Sequence, residues 1–274
     1  MSERPTEARN PKAARLDTLT TREILELMND EDSTVPAAVR RALPSIERAT
    51  EEIVAALARG ARLRYVGAGT SGRLGVLDAS EAPPTFGVEP RLVTGIIAGG
   101  DSALRTSVEG AEDDALGGGS DAREHVRAGD VLVGISASGR ARYVVAALAV
   151  AREIGARTVA LTCDAASTLA QGADIVIAID VGPEILAGSS RLKAGTATKL
   201  VLNMLSTAAM IRSGRTRGDL MVDLRATNAK LRERAVRMVR EVAGIDEDAA
   251  RARLEANDWN VRRSLDVSED KPRQ

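Results

Sequence analysis

The run Leu63-Arg64-Tyr65-Val66-Gly67-Ala68-Gly69-Thr70-Ser71-Gly72-Arg73-Leu74-Gly75 decides the fold. Leu63 to Val66 has strand character, three glycines and two hydroxyl residues follow, and Leu74, Val76 and Leu77 suggest a helix. A strand that turns directly into a helix points backbone N–H groups outward, and such turns bind anions. Glycine lets the backbone approach phosphate oxygens closely, while Thr70 and Ser71 add hydroxyl donors. A glycine-rich turn also arises from close packing alone, so other segments must decide between the two. No Gly-Lys-Ser/Thr follows, which excludes a Walker loop. No acidic residue ends the next strand-like run, Leu92 to Ile97, as a dinucleotide-binding unit would require.

Three more strand-like runs follow: Val131 to Ile135, Thr158 to Leu161 and Ile175 to Ile179. The stretches between them are long enough for helices, notably Arg140 to Ile154 with Val144, Val145, Leu148 and Ile154. Strand-helix alternation predicts an α/β fold with a five-stranded parallel sheet covered on both faces, and ligands at the carboxyl ends of the strands. Polar segments stand at three of those ends: Gly67 to Gly72, Gly99 to Ser102, and Ser136-Ala137-Ser138-Gly139. Ser136 and Ser138 precede a helix, so they either cap it or offer hydroxyls to the anion that Gly69, Thr70, Ser71 and Gly72 would hold.

The rest of the inventory narrows the chemistry. At 274 residues the chain can bury a core without staples, and with 1% aromatics that core is aliphatic. Its single cysteine, Cys163, excludes an internal disulfide and reads as a small buried hydrophobe. A single histidine, His125, in the polar run Asp121 to Ala128, leaves no zinc cluster or Ser-His-Asp triad, so acid-base work falls to Glu, Asp, Lys or Tyr. A formal charge of −1 with interleaved signs argues against a nucleic-acid surface. Met1 to Pro5 carries no apolar signal core and no apolar run reaches spanning length, so a cytoplasmic protein without membrane partners is expected.

Ahead of the sheet, Thr20 to Met28 and Val35 to Leu57 read as helices; behind it, Ala194 to Ile211 reads as a long helix with a broad apolar surface, suited to the core or a subunit interface. Near Asn228 a further module begins: helical Leu231 to Val242, a turn at Gly244-Ile245, helical Asp246 to Leu254, and a last helix through Leu265 after Asn257 to Asn260. The pattern resembles ubiquitin-associated modules, with a packing or interface role expected here. The charged tail after Asp266 is expected to fray. The expected boundaries are residues 1–56, 57–227 and 228–274.

Two carboxylate segments complete the inventory. Glu81 stands beside Pro83-Pro84, which are expected to end the helix and set the chain's direction after the carboxylate. Glu109-Gly110-Ala111-Glu112-Asp113-Asp114 follows the second strand. Gly67 to Gly75, Ala79-Ser80-Glu81-Ala82-Pro83-Pro84-Thr85-Phe86-Gly87, Ile96 to Gly100, Glu109 to Asp114 and Arg191-Leu192-Lys193-Ala194-Gly195-Thr196 closely resemble the N-acetylmuramic acid 6-phosphate etherases. So do Thr6 to Pro11 and Asn203-Met204-Leu205-Ser206-Thr207, and the likeness runs from about Thr6 to Arg234.

The resemblance implies a three-layer sugar isomerase (SIS) domain, a homodimer with active sites near the subunit interface, no cofactor or metal, and a phosphorylated amino sugar as substrate. It implies Glu81 as the acid that protonates departing lactate and Glu112 as the base at C2. It matches Thr70, Ser71, Ser136 and Ser138 to the sugar-phosphate loops, Ser71 most firmly. The sequence does not decide what stabilises the enolate oxygen: Lys193 or a loop N–H group is one reading, and a surface or phosphate contact is the other for Lys193. Three departures stand out. Ala82 replaces a frequent Cys, Ser136 replaces a frequent Ala, and Ala141-Arg142-Tyr143 replaces Thr-Pro-Tyr. The chemistry suits two carboxylates: in the open-chain sugar the C2 proton is α to the aldehyde and the lactyl ether β to it, so one base and one acid suffice for elimination.

Overall fold

The computed structural model describes residues 6–223, 226 and 229–266. Met1 to Pro5, the module start at Asn228 and the tail beyond Asp266 lie outside the described residues. In chain order the helices and strands are α1 (Thr21–Asp32), α2 (Val35–Arg41), α3 (Leu43–Ala58), β1 (Leu63–Gly67), α4 (Gly69–Phe86), β2 (Val93–Ile97), α5 (Ala115–His125), β3 (Val131–Ile135), α6 (Arg142–Ile154), β4 (Arg157–Thr162), α7 (Thr168–Gln171), β5 (Ile175–Ala178), α8 (Lys193–Arg212), α9 (Ala229–Ala243), α10 (Glu247–Ala256) and α11 (Val261–Asp266).

The central strands β1, β3 and β4 are buried almost throughout, while β2 and β5 at the sheet's edges are half-buried at alternate or middle positions, and the five pair parallel in the order β2-β1-β3-β4-β5. Side chains alternate across the sheet. On one face Val66, Ile96, Leu132 and Ala160 enter a cluster with Ala122 of α5, Tyr143, Val144, Ala147 and Leu148 of α6, and Leu169 of α7. On the other, α3 packs over β1, β3 and β5, and α4 lies so close that Cβ atoms on Gly75 and Gly95 would come within 2.9 Å of Tyr65 Cβ and 2.7 Å of the Val76 backbone. The result is three layers, helices on a parallel sheet on helices.

Two helix expectations change. The run Val35 to Leu57 is broken at Ala42, which ends α2 and precedes α3; Pro44, in the first turn of α3, has no N–H to continue the earlier helix. Conversely, α4 passes through Pro83 and Pro84 to Phe86. Two lost amide donors are tolerated in a helix's final turn, and Gly87 closes it by donating to Pro83 O.

The chain divides into two compact units, Met1–Ala79 with Arg91–Ala209 and Ser80–Pro90 with Met210–Gln274. The second has its own apolar centre, in which Val236, Val239, Ala250, Leu254, Val261 and Leu265 meet. Asp246 caps α10 through Ala249 N at 2.8 Å, Arg262 binds Asp223 at 2.6 and 2.9 Å, and the Arg232 guanidinium lies 4.8 Å from the Trp259 ring centre.

Candidate functional site

The order β2-β1-β3 makes β1 the strand from which the chain departs in both directions, the position where open α/β sheets bind ligands. Gly67 is the register partner of both Ile97 and Ile135. The segments after these residues therefore leave the same sheet edge side by side, which brings Gly69–Gly72, Gly99–Ser102 and Ser136–Gly139 together as the sequence expects.

The first of them is less a loop than a helix start, since only Ala68 separates β1 from α4. Its glycines do different things. A Cβ on Gly67 would approach Gly72 N to 2.6 Å, and one on Gly72 would approach Ile97 Cγ1 to 2.6 Å, so both serve close packing. Gly69 has φ +52, and a Cβ there would meet no atom within 4 Å, so it serves conformation at an open surface. At the first turn of α4 the N–H groups of Gly69, Thr70 and Ser71 have no helical acceptor. The Thr70 and Ser71 hydroxyls are half-buried and make no protein hydrogen bond among the described residues. Half-buried donors left open at a positive helix end suit an oxyanion.

Around it, Ser136 is buried and its hydroxyl also lacks a partner among the described residues, while Ser138 Oγ accepts from Arg140 N at 3.3 Å. A Cβ on Gly139, at φ +64, would sit on Ser167 Oγ. The turn is fixed by Gly139 N to Ser136 O at 2.9 Å and Cys163 N to Ala137 O at 2.9 Å. Cys163 is half-buried, and burial pushes its thiol up to about 12, a protonated sulfur without nucleophilic character.

The first turn of α8 borders α4, a Cβ on Gly195 lying 3.8 Å from Thr70 Cγ2. Its own N-terminus is closed by Glu184, whose oxygens accept from Lys193 N and Ala194 N at 3.0 Å each. Burial raises the Glu184 carboxyl, against these two donors. Lys193 is buried and its Nζ lies 2.6 Å from Glu31 Oε2; Glu31 also accepts from Asn10 and Lys12 at 2.9 Å. The ammonium expected at the phosphosugar is thus held by a carboxylate.

Two turns beyond Thr70, Asp78 of α4 accepts from Tyr65 at 2.9 Å and from Ser206 of α8 at 3.1 Å, and burial raises its carboxyl. Sequence reasoning missed Glu31, Glu184 and Asp78. Only Asp78 stands inside a motif that could have flagged it.

Glu112 occupies the 3₁₀ turn Ala111–Asp113, exposed, beside Ala111, which packs on the same apolar cluster as Ala68. Glu81, exposed on α4, belongs to the second compact unit. His125 is exposed at the end of α5. No helix of the described residues is long and apolar enough to cross a membrane.

Residues 45–152 match the glucokinase regulatory protein N-terminal SIS domain, and residues 114–208 match the SIS domain. Among solved structures, the phosphoheptose isomerase GmhA of Neisseria gonorrhoeae superposes with TM-score 0.53 at 21% identity over 69% of this chain and 98% of that one. A putative phosphosugar isomerase of Bacteroides fragilis gives TM-score 0.52 at 18% identity over 71% and 92%. These likenesses establish the fold. Proteins named N-acetylmuramic acid 6-phosphate etherase are far nearer in sequence: 54% identity with that of Streptomyces avermitilis over 95% of this chain and 84% of the relative, and 50% with that of Escherichia coli O139:H28 over 98% and 93%. With half its residues shared along nearly its whole length, the chain belongs to the N-acetylmuramic acid 6-phosphate etherase family.

Proposed function

We propose that the protein cleaves the D-lactyl ether of N-acetylmuramic acid 6-phosphate with water, giving N-acetylglucosamine 6-phosphate and D-lactate in cell-wall sugar recycling in the cytoplasm. The observation that carries this reading is the identity of about half to relatives of that name. The open donors at the start of α4 supply the matching chemistry for the 6-phosphate.

In this reading the N–H groups of Gly69, Thr70 and Ser71, with Gly72 giving the turn its close approach, and the hydroxyls of Thr70, Ser71, Ser136 and Ser138 bind the phosphoryl group and sugar, and Lys193 fixes the turn of α8 beside Thr70. Glu112 removes the C2 proton of the open-chain sugar. The electron pair forms the C2=C3 bond, the C3–O bond breaks, and Glu81 gives its proton to the departing lactate oxygen. Glu81, now a carboxylate, takes a proton from water as hydroxide adds at C3, and Glu112 returns its proton to C2. We assign the meeting of Glu81 and Glu112 over one sugar to an assembled homodimer, in which a second subunit closes the open side of the ligand crevice. Both are exposed in the single chain.

Incubation with N-acetylmuramic acid 6-phosphate and assay of D-lactate tests the reading. Glu81→Ala should keep C2 hydrogen exchange and lose lactate release, and Glu112→Ala should lose both. Full lactate release by Glu81→Ala would refute the assignment. The match to the glucokinase regulatory protein domain favours a second reading, a phosphosugar sensor without turnover. Tight binding with no lactate would support it, while solvent deuterium arriving at C1 would mean an isomerase.

A further inference from the structure

A cleft of about 560 Å³ follows the outer edge of β2, lined by Thr94 to Ile97, by Arg62, Arg64 and Arg91, and by the end of α5. Its floor is unusual in charge. The Arg64 side chain is only 4% exposed. Its Nε donates to His125 O at 3.2 Å, and its Nη1 to Arg91 O at 2.9 Å and to the Thr94 hydroxyl. Nη2 donates to no acceptor among the described residues.

The guanidinium is pinned and poorly neutralised. Asp130 stands 4.0 Å away and is already committed to Arg62 at 2.9 Å and to the backbone N–H groups of Arg62 and Arg127 at 3.0 Å. Two arginine side chains share that carboxylate. Burial, then the Arg62 charge, lowers the Arg64 pKa to about 10. A buried cation with a spare donor is costly unless something satisfies it.

The carboxylates of the cleft do not fill that role. Asp121 takes the Tyr143 hydroxyl, Glu124 lies 3.8 Å from the His125 ring, and Glu124 and Asp101 are exposed. The Thr94 hydroxyl, having accepted from Nη1, keeps its own proton for a ligand. We infer that this cleft is a second oxyanion site, in which Arg64 Nη2 and the Thr94 hydroxyl hold the phosphoryl group of a small phosphomonoester and exposed Arg91 closes over it. It is separate from the donors at the start of α4 and does not depend on the etherase activity.

Crystals of the full chain soaked in selenate, an oxyanion located by its anomalous signal, should show selenium within hydrogen-bond distance of Arg64 Nη2 and Thr94 Oγ1. In solution, calorimetric titration with inorganic phosphate should lose that site's affinity about tenfold or more in Arg64→Lys, which keeps the charge but not the fork, and in Thr94→Val, which keeps the shape. Arg91→Gln, at an exposed position, serves as a variant that folds. Selenium at the start of α4 alone, or a phosphate titration unchanged in both Thr94→Val and Arg91→Gln, would overturn the inference.

Discussion

Lys193 Nζ lies 2.6 Å from Glu31 Oε2 across 162 residues of sequence, and the two side chains are 4% and 8% exposed. Burial alone would raise the Glu31 carboxyl; Lys12, Lys193 and Asn10 together hold it down from 4.5 to about 2. A depressed folded-state value contributes stability that is complete above the unfolded value and disappears as pH falls toward the folded one. The wild-type protein should therefore lose on the order of 3 kcal/mol between pH 6 and pH 2 from this group. Urea midpoints across that range check it: Glu31→Gln should flatten the acid limb, and an identical limb in the variant would contradict the assignment.

Removing the cation instead leaves a buried carboxylate short of one partner. Lys193→Met should cost about 3 kcal/mol, the low end for a broken buried pair because Lys12 and Asn10 remain. The double variant Lys193→Met/Glu31→Leu should recover part of that loss. Chemical denaturation of the three proteins makes the comparison, and equal loss in single and double variants would remove the coupling.

Glu184 closes the N-terminus of α8 inside the protein, where water cannot replace it. Glu184→Ala orphans two buried amides and should destabilise by about 1–3 kcal/mol. Glu184→Gln keeps an acceptor and should lose less. Hydrogen exchange at Lys193 and Ala194 reads the effect locally.

The glycines after β1 separate packing from binding. Gly72→Ala forces a methyl against Ile97 Cγ1 and Gly67 O, at 2.6 and 2.7 Å, and should cost about 1–3 kcal/mol. Gly69→Ala meets no atom and pays only for φ +52, about 1 kcal/mol, yet places a methyl where the phosphoryl group is proposed to sit. Its signature is a raised KM in an otherwise folded enzyme, whereas Gly72→Ala should show first in unfolding.

The sheet was legible because its central strands are buried on both faces, so β1, β3 and β4 stand out as short apolar runs with no competing period, and the apolar runs of β2 and β5 repeat the same spacing. The α2–α3 break was not, since apolar spacing continues across Ala42 and proline in a first turn leaves no mark on it. Pro83 and Pro84 misled in the opposite sense. The turn after β1 was legible as a glycine-rich passage from strand to helix, but its division between packing glycines and one conformational glycine depends on how near β2 lies. Glu31 and Glu184 were invisible because each is defined by a partner chosen by tertiary structure: a bare glutamate in a polar helix or a loop looks the same whether it faces solvent, a buried lysine or the N-terminus of another helix.

The proposed assembly makes a demand that a single chain does not. If each active site takes Glu81 from one subunit and Glu112 from the other, a dimer of one Glu81→Gln chain and one Glu112→Gln chain has one site with both glutamates and one with neither. Unfolding the two inactive variants together and refolding them at equal concentration gives half mixed dimers, each with one of two sites intact. Lactate release should then recover to about one quarter of wild type. If both glutamates of a site belong to the same chain, every site in the mixture lacks one of them and no activity returns. The recovered fraction should also vanish on dilution below the dimer's dissociation constant, because an isolated chain would hold only half of the acid-base pair.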